Sequence, residues 1–264
     1  MFLRKSRELI KILIKFRVSR YRMFKADTIL NILSSLAYLA ANLLFWYLIT
    51  DTGFFIEGWS YKDILVFIAF SELFFGLDSA VFSVISRFWN LIYTGALDTH
   101  LMRPLDPRMR LIILNIDYMG ILSSFLTFVI ILLISCIKLN IILVFSGILV
   151  VFTANVVLAL IRLTMSYAAF WIGKMDAMSE LADCMTLFNK YPLVIMPKAV
   201  RILLKTVLPF YFFSTFSAEA VTGKISYETA GLGLFGIFIS LIFWSIINRI
   251  IWKKGTARYE GING

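Results

Sequence analysis

Four ionisable residues stand inside long apolar stretches of this 264-residue chain: Glu72, Asp78, Asp117 and Arg162. A charge held in lipid costs roughly 2.5 to 3.5 kcal/mol even on a lenient insertion scale, so each of these positions needs a partner or a task. Carboxylates at such depths suit a proton or cation relay. The arginine suits structural pairing, with Arg162 neutralising Asp117 or Glu180 across helices. Little else offers covalent or metal chemistry. His100 is the sole histidine, which leaves no site built on two imidazoles. Cys136 and Cys184 fall in apolar or membrane-proximal stretches and read as packing residues, indicating neither a disulfide framework nor a zinc site.

The elements that must position those charges follow from composition. The chain is 60% hydrophobic and 16% charged, with a mean hydropathy of +0.86. Soluble domains sit near ~45 to 50% apolar and ~25% charged, so this is an all-α polytopic membrane protein. About 20 apolar residues cross the ~30 Å hydrocarbon core as a helix, which satisfies its own backbone there. Five plain runs meet that need: residues 28–50, 63–83, 111–137, 141–171 and 228–252. Residues 28–264 thus form one transmembrane domain.

Lys and Arg set the orientation. Residues 1–27 hold nine basic side chains against two acidic ones, and their interleaving with apolar residues suits an amphipathic helix on an anionic leaflet rather than a nucleic-acid patch. No secretory signal-peptide pattern occurs there. The segment Arg87 to Arg110 has four basic residues and the C-terminal tail has Lys253, Lys254 and Arg258, whereas the loop Asp51 to Ser60 has none. Both termini and residues 87–110 are therefore expected on the cytoplasmic side of the plasma membrane.

Matching ends require an even number of crossings, so residues 173–224 must supply a sixth. Two candidates compete. Residues 200–221 are the more apolar, and their charge distribution fits a span. Residues 178–196 carry Glu180, Asp183 and Lys190, but Pro192, Pro197 and Pro209 punctuate the region too closely for one long helix over 197–223. That spacing favours a span over 178–196 followed by an outer re-entrant hairpin over 197–223.

Residues 92–107 read IYTGALDTHLMRPLDP, dense in helix punctuation, with a cap expected at Asp98 or Thr99. The spacing of Leu97, Leu101, Met102 and Leu105 predicts an exposed apolar strip on a short surface helix, suited to a partner's groove.

Here the sequence resembles membrane subunits of ATP-binding-cassette exporters of the type-2 class, in the branch of uncharacterised or multidrug transport permeases. Family members carry I-x-x-G-E-L-D-x-x-L-x-R-P-L-x-P, matched by Ile92, Gly95, Leu97, Asp98, Leu101, Arg103, Pro104, Leu105 and Pro107, with Ala96 replacing the usual Glu. A second stretch, Y-P-L-x-I-x-P-x-x-x-R-x-L-L-x-x-V-L-P-F, is matched from Tyr191 to Phe210, and Trp252 to Tyr259 is similar to the family's ending. The resemblance implies six transmembrane helices, an N-terminal interfacial helix, a dimer with a second permease chain, and a cytoplasmic coupling helix, Leu91 to Leu105, within residues 87–110. ATPase-coupling residues would then be Leu97, Asp98, Leu101, Met102, Arg103 and Pro104. In the re-entrant reading, Pro209, Phe210, Tyr211, Phe212, Phe213 and Phe216 form an apolar outer gate; in the plainer reading these aromatics simply face lipid.

The chain has no G-x-x-x-x-G-K-[ST] phosphate loop, since Gly173 and Lys174 are followed by Met175 and no glycine lies five residues earlier. ATP and magnesium are thus expected on a separate ATPase subunit, with no cofactor and no catalytic or metal residue on this chain. The leading expectation is an export permease for an amphipathic or hydrophobic substrate. The alternative is a proton-coupled secondary transporter using Glu72 or Asp117. A membrane enzyme is disfavoured by the missing metal-ligand cluster and acid pair.

Overall fold

Side-chain caps fix where the helices begin. The computed structural model describes residues 25–52, 58–103, 105–138, 140–206 and 209–259, which are helical with no β-strand among them. The expected interfacial helix lies almost wholly outside the described residues, as does Pro104. Helix α1 spans Lys25–Asp51. Ser60 then opens α2, Tyr61–Tyr93, through a reciprocal capping box with Asp63. The short α3, Leu97–Leu101, follows a turn at Gly95, whose φ of 71° favours glycine. Asp106 caps α4, Pro107–Asn115, with Pro107 in its first turn, and Asp117 caps α5, Tyr118–Ser135, by accepting from the Gly120 N–H at 3.1 Å. Asn140 caps α6, Ile141–Ile172, and Ser226 caps α10, Tyr227–Arg258.

Among the described residues five helices are long and apolar enough to cross a membrane: the Ile32–Asp51 part of α1, together with α2, α5, α6 and α10. The chain is a multi-pass α-helical membrane protein. Residues 173–224 instead hold short pieces: α7 Asp176–Cys184, α8 Lys198–Thr206 and α9 Thr215–Val221, with two 3-10 segments between α7 and α8 and one between α8 and α9. Pro192 ends the first of these series, so residues 178–196 form no uninterrupted helix.

The third span is shorter than residues 111–137, because a break at Ile116 and Asp117 assigns Leu111–Asn115 to α4. That break docks on α2. A π-helical turn at Asp78–Phe82 shifts the carbonyl ladder, and the Ala80 carbonyl accepts from the Asp117 N–H at 2.8 Å. The second span likewise runs past residue 83, continuing through a 3-10 turn to Tyr93.

Helix α2 is the centre of the molecule and packs on α5, α6 and α9. A Cβ on Gly76 would lie 1.8 Å from the Ser124 Oγ of α5, so this glycine permits the close approach of the two helices. Ser71 and Ala80 are buried and Gly76 is half-buried, whereas Ser79 and Ser83 are exposed. The small residues of α2 therefore serve intrachain packing at Ser71, Gly76 and Ala80, and not at Ser79 and Ser83. Helices α1 and α10 bury little of their apolar surface in this chain, leaving it for lipid or another protein. Cys136 and Cys184 are both exposed, contrary to a packing role; Cys136 sits in the left-handed conformation that ends α5.

Candidate functional site

At the end of the bundle carrying Met102, the α2–α4 connection is a rigid turn with one apolar edge. Leu97 is fully buried in a cluster that includes Ile92, Tyr167 and Trp252, and so anchors the turn instead of joining the exposed strip. The strip that remains is Leu101, Met102 and Leu105, of which Met102 is 88% exposed. The expected coupling helix over residues 91–105 is shorter than the sequence suggested. Only Leu97–Leu101 is helical beyond Gly95, and its N-cap is Ala96, with no side-chain cap at Asp98 or Thr99. Arg103 is exposed. Burial, with Arg110 and Arg103 close by, holds the His100 imidazole below its ordinary range, so it is neutral at pH 7. Burial, and then the nearby Asp98 carboxylate, push the Tyr259 phenol up to about 12.

A polar network missed by the sequence reading ties this turn to two long helices. Arg108 pairs with both carboxylate oxygens of Asp106, donates to Asn248 Oδ1 at 3.1 Å, and stacks 5.0 Å from the Trp252 ring centroid. Tyr167 of α6 donates to the same Asn248 oxygen at 3.4 Å. Although burial opposes it, hydrogen bonding from Arg108 holds Asp106 below the usual carboxylate range. Displacement of residues 101–108 is thereby linked to α6 and α10 through charge-assisted hydrogen bonds. The available signal was Asn248, an amide within an apolar run.

Each buried charge of the sequence reading has a definite place. Arg162 pairs with Asp78 at 2.6 Å and with Asp183 at 3.5 Å, in place of Asp117 or Glu180. The Asp78 carboxylate lies in the π-helical turn, which aims it at α6. Asp117 is a helix cap. Glu72 accepts from Asn42 Nδ2 of α1 at 3.2 Å. The structure thus brings Asp78 and Arg162 together and keeps Glu72 and Asp117 out of that pair.

At the opposite end, near Lys224, the proposed gate residues pack inside one chain. Phe213 stacks on Phe74 of α2 with centroids 4.2 Å apart, and Phe210, Phe212 and Phe216 are buried beside it. The half-buried Tyr211 donates to the Glu219 carboxylate, and Lys205 lies 3.9 Å from the Tyr211 ring centroid. Pro209 is buried. Three contacts set the depth of this piece: Ser214 donates to Asn189, whose backbone carbonyl accepts from Ser71 Oγ of α2 at 2.9 Å, and Ser217 donates to the Gly147 carbonyl of α6 at 3.2 Å. Lys224 then reaches Asp63, at the start of α2, at 2.8 Å. Helix α9 accordingly runs antiparallel to the first half of α2.

Several membrane-length helices, a buried inter-helix ion pair and an anchored apolar turn at one end belong to an integral membrane protein. The family model described as ABC-2 family transporter protein matches residues 36–262, and the chain belongs to that family as an ABC-2 type permease subunit. No curated protein and no solved structure matches the chain.

Proposed function

We propose that this chain is the permease subunit of an ATP-driven exporter that moves an amphipathic or hydrophobic substrate out of the cytoplasm, powered by a separate ATPase subunit. The observation that carries the reading is the strip Leu101, Met102 and Leu105, exposed on a turn whose neighbours Leu97 and Arg108 are locked into the bundle. An exposed apolar edge on a rigid mount suits a partner's groove, and force applied there reaches α6 and α10 through Asn248 and Trp252.

In this reading both termini and the Met102 end face the cytoplasm at the plasma membrane. Residues 178–196 climb in short helical pieces as the sixth crossing, and residues 197–223 dip in from the outer side and return. The aromatic cluster from Pro209 to Phe216 closes that outer end, with each protomer sealing its own half. The exposed faces of α1 and α10 suit lipid and a second permease chain. Proton coupling through Asp117 is the weaker reading, because that carboxylate caps a helix.

Reconstitution tests the assignment. The purified chain is expected to hydrolyse no ATP, and adding its ATPase subunit should give turnover that changes with substrate. ATP hydrolysis by the isolated chain, free of contaminants, would overturn it.

A further inference from the structure

Among the described residues, the charges within the bundle are matched with one exception. Asp78 has Arg162, Glu219 has the Tyr211 hydroxyl with lysines nearby, and Asp117 has the backbone of α5. Glu72 has only the neutral amide of Asn42, and no ion pair among the described residues includes it. It stands eleven residues into α2, or roughly 17 Å along the helix at ~1.5 Å per residue, near the middle of the hydrocarbon layer. A half-buried carboxylate at that depth with no cation beside it is costly unless something supplies the missing charge.

Glu72 also borders a cavity of about 190 Å³ between α1, α2 and residues 190–191. This is far more room than a single water needs and is enough for a small headgroup. Its walls include Phe45, Trp46, Phe75 and Tyr191, with the Trp46 and Tyr191 rings edge to face, 6.2 Å between centroids. Lys190 borders the cavity too, but it is exposed and beyond ion-pair range of Glu72. Aromatic rings beside one acid form the chemistry that recognises ammonium groups, since ring quadrupoles attract a cation that is too weakly hydrated to prefer water. The α1 side of the cavity adjoins the exposed apolar surface of that helix, where an alkyl or aryl tail can lie in lipid.

We propose that the cavity between α1 and α2 binds the ammonium headgroup of an amphipathic organic cation, with Glu72 as counter-ion and Phe45, Phe75 and Tyr191 as aromatic walls. The proposal deepens the exporter reading by naming its substrate chemistry, and as a substrate site it rests on that reading.

The test is binding of labelled decyltrimethylammonium to the purified full-length chain in maltoside micelles. Its uncharged tert-butyl isostere and decyl sulfate serve as comparisons. The cation is expected to bind saturably and about tenfold or more tighter than the isostere, with decyl sulfate not competing. Glu72→Gln should weaken cation binding about tenfold or more, and Tyr191→Leu about two- to fivefold. Equal affinity for cation and isostere, no saturable binding, or an unchanged Glu72→Gln protein would each overturn the site. The isostere comparison uses the native chain, so the test stands even if Glu72→Gln fails to fold. Loss of cation selectivity with the ATPase still attached would remove this site and leave the exporter reading. Selective binding in a chain that engages no ATPase would do the reverse.

Discussion

Replacing Leu101 and Met102 together with aspartate is expected to weaken association with the ATPase subunit by at least about 30-fold, the equivalent of losing one interface hot spot of about 2 kcal/mol. Transport should fall with it. Both side chains are exposed, so the permease itself should fold, elute and unfold thermally as the native chain does. A change to aspartate at Leu97 would instead place charge in a fully buried position and would damage the fold, which makes it unsuitable as a probe. Measured affinity of the double variant for the ATPase, set beside its melting temperature, separates the two effects. Native affinity and export would return the segment to an ordinary solvated turn.

Arg162→Met is expected to destabilise the protein by about 3 to 5 kcal/mol, because it strands the buried Asp78 carboxylate without a countercharge. Adding Asp78→Leu should restore much of the loss, since an apolar pair of similar size removes both desolvation terms. The single variant should also free α7, whose Asp183 is held by the second guanidinium nitrogen. Thermal unfolding in detergent for the single and double variants decides this. A single variant that melts at the native temperature would show that the pair carries no structural weight.

The long apolar helices were legible because membrane length and hydropathy need no tertiary information. Their ends were less legible, because the caps at Ser60, Asp117, Asn140 and Ser226 depend on local backbone geometry. Asp117 read as an intramembrane charge, yet it caps the start of α5, and the break there removes the seven residues 111–117 from the third span. The exposed strip was read from spacing, with one error: Leu97 shares the periodicity of Leu101 but lies at the end of α3 that packs into the cluster with Ile92, Tyr167 and Trp252, a contact that spacing alone does not reveal. Pairing was the least legible. Arg162 and Asp78 are far apart in sequence, and a π-helical turn, which no propensity announces, rotates Asp78 to meet the arginine. The Arg108–Asn248–Tyr167 network likewise joins three separate stretches, and only its out-of-place amide hinted at it.

The central claim, that an ATPase docks on the exposed edge of the α2–α4 turn, is tested most directly by a photo-crosslinking benzoyl-phenylalanine placed at position 102. A second probe at position 142, whose Ile142 is equally exposed at the opposite end of the bundle, serves as the control. In native membranes containing both subunits, the probe at 102 should give an adduct with the ATPase whose yield changes on adding ATP, while the probe at 142 should give none. An ATPase adduct from position 142 and none from position 102 would contradict the account.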